Sequence, residues 1–332
     1  MKNQEIYNLE KLVKIEKIPF KESDRFVWTD GLKIFNFYLI IPSVRWVYNK
    51  NICHELPSNC ILKDKKVMTK PRCILYFESD HRLVLTYDTD EEMENDSKIA
   101  IAQPKLLSYL EKNKFEYAGA AGGFMDRFGY PFCKGRIFDD VEIDQKQYET
   151  AEEVFWASGA AMFIKANIYH QSGGLDHDYF AHMEEIDLCW RIKNMGYKVY
   201  YCPQSIVYHL GGATLHESNP HKTYLNFRNS LITLRKNLPL HISLGIIIIR
   251  HVLDFIQWIR FVVSGKFKHA FAINKAHYDF LITQATWHSK RKKMLKLFKK
   301  PNKSGQYYRS IVFDYFILRK KKFTDLDAKN FE

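Results

Sequence analysis

The 332 residues predict an α/β chain, a mixed sheet flanked by helices, with a helical extension toward the C-terminal end. Three observations carry that expectation. Short apolar runs of strand length recur from Cys73 onward and are closed by acidic or turn residues. Between them, Phe180–Met195 places apolar residues at helical spacing. Beyond them, Leu238–Val263 is strongly apolar and lysine-rich runs follow.

Taken in order, residues 1–70 hold one clear strand signal, Phe35–Ile41, with no glycine-rich turn and no βαβ rhythm. Cys73–Phe77 and Leu83–Tyr87 read as strands ending in Glu78-Ser79-Asp80 and Asp88-Thr89-Asp90. Lys98–Ala102 reads as a third, closed by Gln103-Pro104, and Tyr117–Phe138 as a loop rich in glycine and aromatics. Val154–Ile164 predicts a strand, a tight turn at Ser158-Gly159, then a strand or helix. After the Gly173-Gly174 turn, the helix Phe180–Met195 carries Met183, Ile186 and Trp190 on one stripe, and Gly196 ends it. Tyr197–Cys202 and Ser205–His209 read as two strands around Pro203.

Leu238–Val263 is interrupted by Arg250, Asp254 and Arg260, whereas a spanning helix wants about 20 mostly apolar residues. The pattern predicts a helix lying in the membrane interface. Lys290–Lys293, Lys296, Lys299, Lys300 and Arg319–Lys322 would meet anionic lipid. A core helix of the same domain gives the same composition. The expected boundaries are 1–72, a divergent part of a donor-binding half; 73–236, the catalytic and acceptor region; and 237–332, an amphipathic, basic helical tail.

Hydrophobic residues make up 46% and charged residues 27%, which excludes a disordered or fibrous chain. The net charge of +12 points to an anionic partner, and the basic runs match no nucleic-acid-binding module. Cys53, Cys60, Cys73, Cys133, Cys189 and Cys202 show neither CxxC pairs nor zinc spacing, and Met1–Lys17 is too charged for a signal sequence. A cytoplasmic protein with reduced thiols, peripheral on the inner face of the cell membrane, is the expectation.

The chemistry concentrates in His182-Met183-Glu184-Glu185-Ile186-Asp187-Leu188-Cys189-Trp190-Arg191. On a helix, Glu184, Asp187 and Arg191 share a face, and Glu185 points to a neighbouring one. A carboxylate so placed can take a proton from a hydroxyl nucleophile. Three acids and an arginine also make a solvated, salt-bridged helix, and periodicity does not separate the two.

The surroundings add a resemblance. Phe155-Trp156-Ala157-Ser158-Gly159-Ala160-Ala161-Met162, Gly173-Gly174-Leu175-Asp176, the acidic helix, and Tyr208-His209-Leu210-Gly211-Gly212-Ala213-Thr214 follow one another as in inverting family 2 glycosyltransferases of the GT-A fold. Gln103-Pro104-Lys105, the glycine-rich stretch from Phe115 to Phe124, and Gly129–Arg136 resemble the rhamnosyltransferase-like bacterial subgroup. The similarity runs from about Ile99 to Tyr278.

The resemblance implies roles. Glu185 would be the catalytic base, Glu184 its neighbour and substitute, with Asp187 and Arg191 completing the motif and ordering the acceptor site. Trp156, Ser158, Gly159 and Asp176 would line the substrate site, and Arg228-Asn229 would fold over a diphosphate. His209 would join Asp80 in holding Mg²⁺ or Mn²⁺, with Asp88 and Asp90 as alternatives to Asp80. The implied partners are a nucleotide-sugar donor and a lipid-linked or polysaccharide acceptor. The family's base-gripping Asp-Asn-x-Ser-x-Asp motif is missing, so a membrane-surface binding protein without turnover is the alternative.

Overall fold

The computed structural model describes residues 96–209, 218–299 and 302–332, together with the backbone of four strands at 26–29, 34–40, 72–76 and 82–86. A six-stranded mixed sheet forms the centre. Its spatial order is β1 (Phe26–Thr29), β2 (Ile34–Ile40), β11 (Met162–Lys165), β5 (Ile99–Ser108), β12 (Lys198–His209) and β10 (Glu152–Val154). Only β5 and β12 run parallel; the other neighbours are antiparallel. β3 (Arg72–Tyr76) and β4 (Arg82–Thr86) form a hairpin of their own, as the sequence predicts.

β5 is buried along nine of its ten residues, as suits a central strand covered on both faces. It continues through Gln103-Pro104, where the sequence predicts an end. The accommodation lies in β12, which slips register between Cys202 and Ile206, opposite Pro104 and Lys105. The same irregularity joins the two strands expected around Pro203 into one.

The glycine and aromatic loop builds a second sheet from β6 (Gly123–Asp126), β7 (Pro131–Cys133), β8 (Arg136–Ile137) and β9 (Asp140–Val141). Its outer strand is β13 (Gln306–Tyr307), which comes from the far end of the chain. Phe323 and Phe331 then pack on Phe124 and Phe132 with ring centroids 4.8–6.3 Å apart. Beyond Leu295 the expected basic tail keeps only a short helix, Ile311–Phe316, and otherwise returns to the core, drawn by its aromatics.

The helices are α1 (Ala166–Gln171), α2 (Glu184–Asn194), α3 (Pro220–Asn237), α4 (Leu240–Val263), α5 (Phe267–Ile282), α6 (Gln284–Leu295) and α7 (Ile311–Phe316). Met195 caps α2 and Gly196 follows at φ +92°, the left-handed stop that glycine supplies. α4 is the one helix among the described residues long and apolar enough to cross a membrane. Its Arg250 and Asp254 face the body. Arg250 donates to Ser230 Oγ (2.8 Å) and lies 3.9 Å from the centre of the Tyr130 ring, and Asp254 receives His277 Nε2 at 3.1 Å.

Candidate active site

The chain reaches α2 through a constrained path. Asp176 caps a single 3₁₀ turn, His177–Tyr179, by accepting from Asp178 N. Phe180, His182 and Met183 then take φ of +65°, +67° and +72°. Three non-glycine residues in the left-handed region within four positions cost of order 1–3 kcal/mol each, and such strain persists only where the surroundings impose it. Helical spacing alone predicts a helix through this segment, and the structure starts α2 at Glu184 instead.

Asn229 of α3 imposes the conformation. Its fully buried side-chain amide donates to the carbonyls of Tyr179 (3.0 Å), Ala181 (2.9 Å) and His182 (2.8 Å). Arg228, one residue earlier, donates to the Asp178 carbonyl and to Tyr224 Oη. Asn229, expected beside Arg228 over a diphosphate, instead spends its amide on these carbonyls some fifty residues away in the chain.

The strained path delivers Glu184 and Glu185 to the first turn of α2. Glu184 is buried, Glu185 partly so, and each has one carboxylate oxygen without a hydrogen-bond partner. Burial pushes both carboxyls above the usual range, and the charge of Glu185 raises Glu184 further. The hydrogen bond between them lowers Glu185 while raising Glu184. The two carboxyls therefore titrate as one coupled pair, and the first ionisation leaves a carboxylate hydrogen-bonded to its neighbour's carboxyl. His182 lies just before them with Nε2 unpartnered; burial, then Lys222 and His221, lower its pKa to about 4, so its ring is neutral.

Asp187 and Arg191 are spent on the fold. Asp187 is fully buried and receives Arg191 Nε, Lys236 Nζ and Asn237 Nδ2, each at 2.8 Å. Burial raises its carboxyl, but Lys236 and Arg191 outweigh that and hold it below the ordinary value. The remaining Arg191 nitrogens donate to the carbonyls of Ser172 (2.5 Å) and Gly174 (2.7 Å). Neither residue is left to touch a substrate, so the expected catalytic part for Asp187 and ligand part for Arg191 become positioning ones. Asp176 belongs to the same network. Lys236 bridges it to Asp187, and Lys290 joins it to Asp178, so Asp176 is lowered in spite of its burial.

The acceptor-side residues are also reassigned. Trp156 is 4% exposed, donates Nε1 to the Phe124 carbonyl at 2.8 Å, and lies so close to Gly123 that a Cβ there would sit 2.2 Å from its ring. Ser158 is buried, with its amide on Gln103 Oε1 (2.6 Å) and its hydroxyl on the Ala118 carbonyl. Gly159 is buried beside them. These residues seat the β10–β11 loop against the Tyr117–Gly123 segment and expose no ring for a sugar. The competing core reading of Trp156 wins because its indole N–H has a buried partner.

His209 closes β12 with Nδ1 3.3 Å from Glu116 Oε1, a nitrogen and a carboxylate facing each other as cation ligands can. Asp80, Asp88 and Asp90 lie outside the described residues. Among the described residues, Asp176, His177 and Asp178 also gather ligand atoms within 4.8 Å. Lys236 and Lys290 already supply positive charge to those carboxylates, so that cluster does not suit a divalent ion.

No family model matches the chain. Over 66 residues it is 35% identical to an N-acetylglucosaminyl-diphospho-decaprenol L-rhamnosyltransferase of Mycobacterium tuberculosis, found in the CDC 1551 / Oshkosh and H37Rv strains. That match covers 20% of this chain and 22% of the relative's length. A solved structure of GalNAc-T7 with UDP, GalNAc and Mn²⁺ aligns to 46% of this chain and 30% of its own, at 12% identity and a TM-score of 0.32. At that TM-score two chains need not share a fold. The matched 66 residues are thus glycosyltransferase-like, within a chain whose described core is a mixed sheet flanked by helices.

Proposed function

We propose that this chain is an inverting, family 2 glycosyltransferase of GT-A type that moves a sugar from a nucleotide-diphosphate donor to a lipid-linked acceptor. The observation that carries the reading is the pair Glu184 and Glu185, held against solvent at the end of a strained segment, each with an uncommitted oxygen. Strain and a perturbed carboxyl pair together mark a site built for chemistry, because a purely structural helix start would relax both.

In this mechanism Glu185 is the base. Its carboxylate takes the proton of the acceptor hydroxyl as that oxygen attacks the anomeric carbon. The bond from that carbon to the donor diphosphate breaks on the opposite face, which inverts the centre. Glu184 keeps its own proton and holds the Glu185 carboxylate in place, and the helix N-terminus favours the charged form. A bound Mg²⁺ or Mn²⁺, for which His209, Glu116 and Asp80 (or Asp88 and Asp90) are the candidates, would supply charge for the leaving diphosphate.

The acceptor follows from the relative's name and from α4. The relative acts on a sugar carried by diphospho-decaprenol. α4 turns Arg250 and Asp254 inward and leaves Ile248, Val252 and Phe255 more than half exposed. A helix packed lengthwise on the body with an apolar outer face suits the plane of a membrane interface, here the cytoplasmic one, where lipid-linked acceptors reside.

The test is Glu185→Gln, which keeps shape and removes the base. Transfer should fall roughly 10²–10⁴-fold with the fold intact; wild-type rates in a folded variant would end the assignment. Stabilisation of the wild-type protein by nucleoside diphosphates with Mn²⁺ checks the donor half, and its absence would leave an acceptor-binding protein.

A further inference from the structure

An open groove of about 810 Å³ lies between α3 and α5, within the size range of small-molecule clefts. Its floor and one rim are apolar: Leu225, Phe267, Phe271 and Ala272. Arg228, Lys268 and Lys275 supply cations along it, and Phe180 stands at its head, 74% exposed and edge-on to His221. Phe180 is also the first residue of the strained path, four positions before Glu184. One wall, α5, continues the outward apolar face of α4 through Phe267, Phe271 and Tyr278, all more than 60% exposed.

We propose that this groove seats the diphosphate and first isoprene units of a prenyl-diphosphate-linked acceptor. The proposal rests on the transferase reading above and assigns the acceptor its place. Two chemistries must coincide in such a ligand, a doubly charged head and a long apolar chain, and the groove presents cations and apolar side chains next to each other. Arg228 is positioned for the head. Its two terminal nitrogens are anchored on Tyr224 Oη and the Asp178 carbonyl, so the guanidinium's charge is fixed beside the groove before a ligand arrives. Lys268 is exposed with its ammonium free to approach phosphate oxygens.

Lys275 is the lesser contributor. It pairs with Asp279, which also receives Tyr224 Oη at 2.6 Å, so its charge is already partly met. Phe267 and Phe271 would carry the isoprenes away from the head toward the α4 face, which sets the chain into lipid while the sugar end stays near Phe180. A bulk anionic lipid offers the charge without a prenyl chain, and inorganic diphosphate offers the head alone.

The experiment titrates the full-length protein with farnesyl diphosphate below its aggregation concentration, and separately with inorganic diphosphate, farnesol and phosphatidylglycerol vesicles. Farnesyl diphosphate should bind at least ten-fold tighter than inorganic diphosphate or farnesol. Lys268→Gln, an exposed change with little risk to folding, should weaken it several-fold, and Phe271→Ser should do the same while sparing inorganic diphosphate. Equal affinity for farnesyl diphosphate and inorganic diphosphate would reduce the groove to a phosphate site. Equal affinity for farnesol, or indifference to Lys268→Gln, would reduce it to an apolar surface; either outcome overturns the proposal. Nucleotide-induced stabilisation, measured in parallel on the wild-type protein, reports on the transferase reading independently of these arms.

Discussion

α2 and α4 both bury charge, yet they treat their apolar residues in opposite ways. In α2, Ile186, Leu188, Trp190 and Ile192 are buried together with Asp187 and Arg191. In α4 the buried residues are Ser243, Ile247, Arg250 and Asp254, while Ile248, Val252, Phe255 and Ile256 project outward. Charge goes inside wherever the body offers partners: Lys236 and Asn237 for Asp187, Ser230, Tyr130 and His277 for the α4 pair. Apolar residues go where their solvent is. An apolar face of this extent is rarely left to water, so the contrast separates a helix built into a core from one whose outer face is, on the proposed reading, covered by lipid.

The largest effect that would break this contrast is on the α2 side. Asp187→Ala leaves Lys236 and Arg191 facing each other in the core and should cost about 3–5 kcal/mol, read as a shift in the urea midpoint. A loss below about 1 kcal/mol would mean that the network is solvated, as a surface ion pair is.

The α4 side should respond in binding instead of stability. Ile248→Ser with Phe255→Ser removes two exposed apolar groups, each worth about 1.5–3 kcal/mol when moved out of water. Sedimentation with phosphatidylglycerol vesicles should drop at least ten-fold, while unfolding stays within about 0.5 kcal/mol of the parent. Unchanged sedimentation would place the contact elsewhere.

The smallest effect is a pH dependence at the start of α2. Glu184 is raised in the folded state, so its favourable contribution is complete below its unfolded pKa and fades as pH rises through the folded one. Glu184→Gln removes that loss. The variant should match the parent near pH 4 and be the more stable of the two at pH 8, read as a higher urea midpoint. Asp187, lowered in the fold, works the other way and loses its contribution as pH falls through its folded pKa. A variant no more stable than the parent at pH 8 would deny that Glu184 holds its proton.

Local rules made much of this legible. Cys73–Phe77, Leu83–Tyr87 and the Ile186–Trp190 stripe appear where alternation and helical spacing put them, and Gly196 stops α2 as a left-handed cap. The failures share a cause, which is partners distant in the chain. Pro104 sits inside a strand because β12 slips register opposite it. Phe180–Met183 leave the helix because Asn229 holds the carbonyls of Tyr179, Ala181 and His182. Trp156 is core because Phe124 takes its N–H, and the chain after Lys303 returns because β6 has an open edge. Arg250 and Asp254 read as interruptions of an apolar run, although they are the residues that fasten it to the body. Glu184 and Glu185 stood out by residue type, but their burial and the coupling that raises both carboxyls required the fold.

Arg228 and Asn229 occupy consecutive positions on α3, about 100° apart around its axis. One opens on the groove and the other grips the backbone that presents the carboxylates. Deleting or inserting a single residue upstream in α3 would rotate both out of phase together. A change of helix length there would therefore disturb the groove lining and the carboxylate geometry in one step.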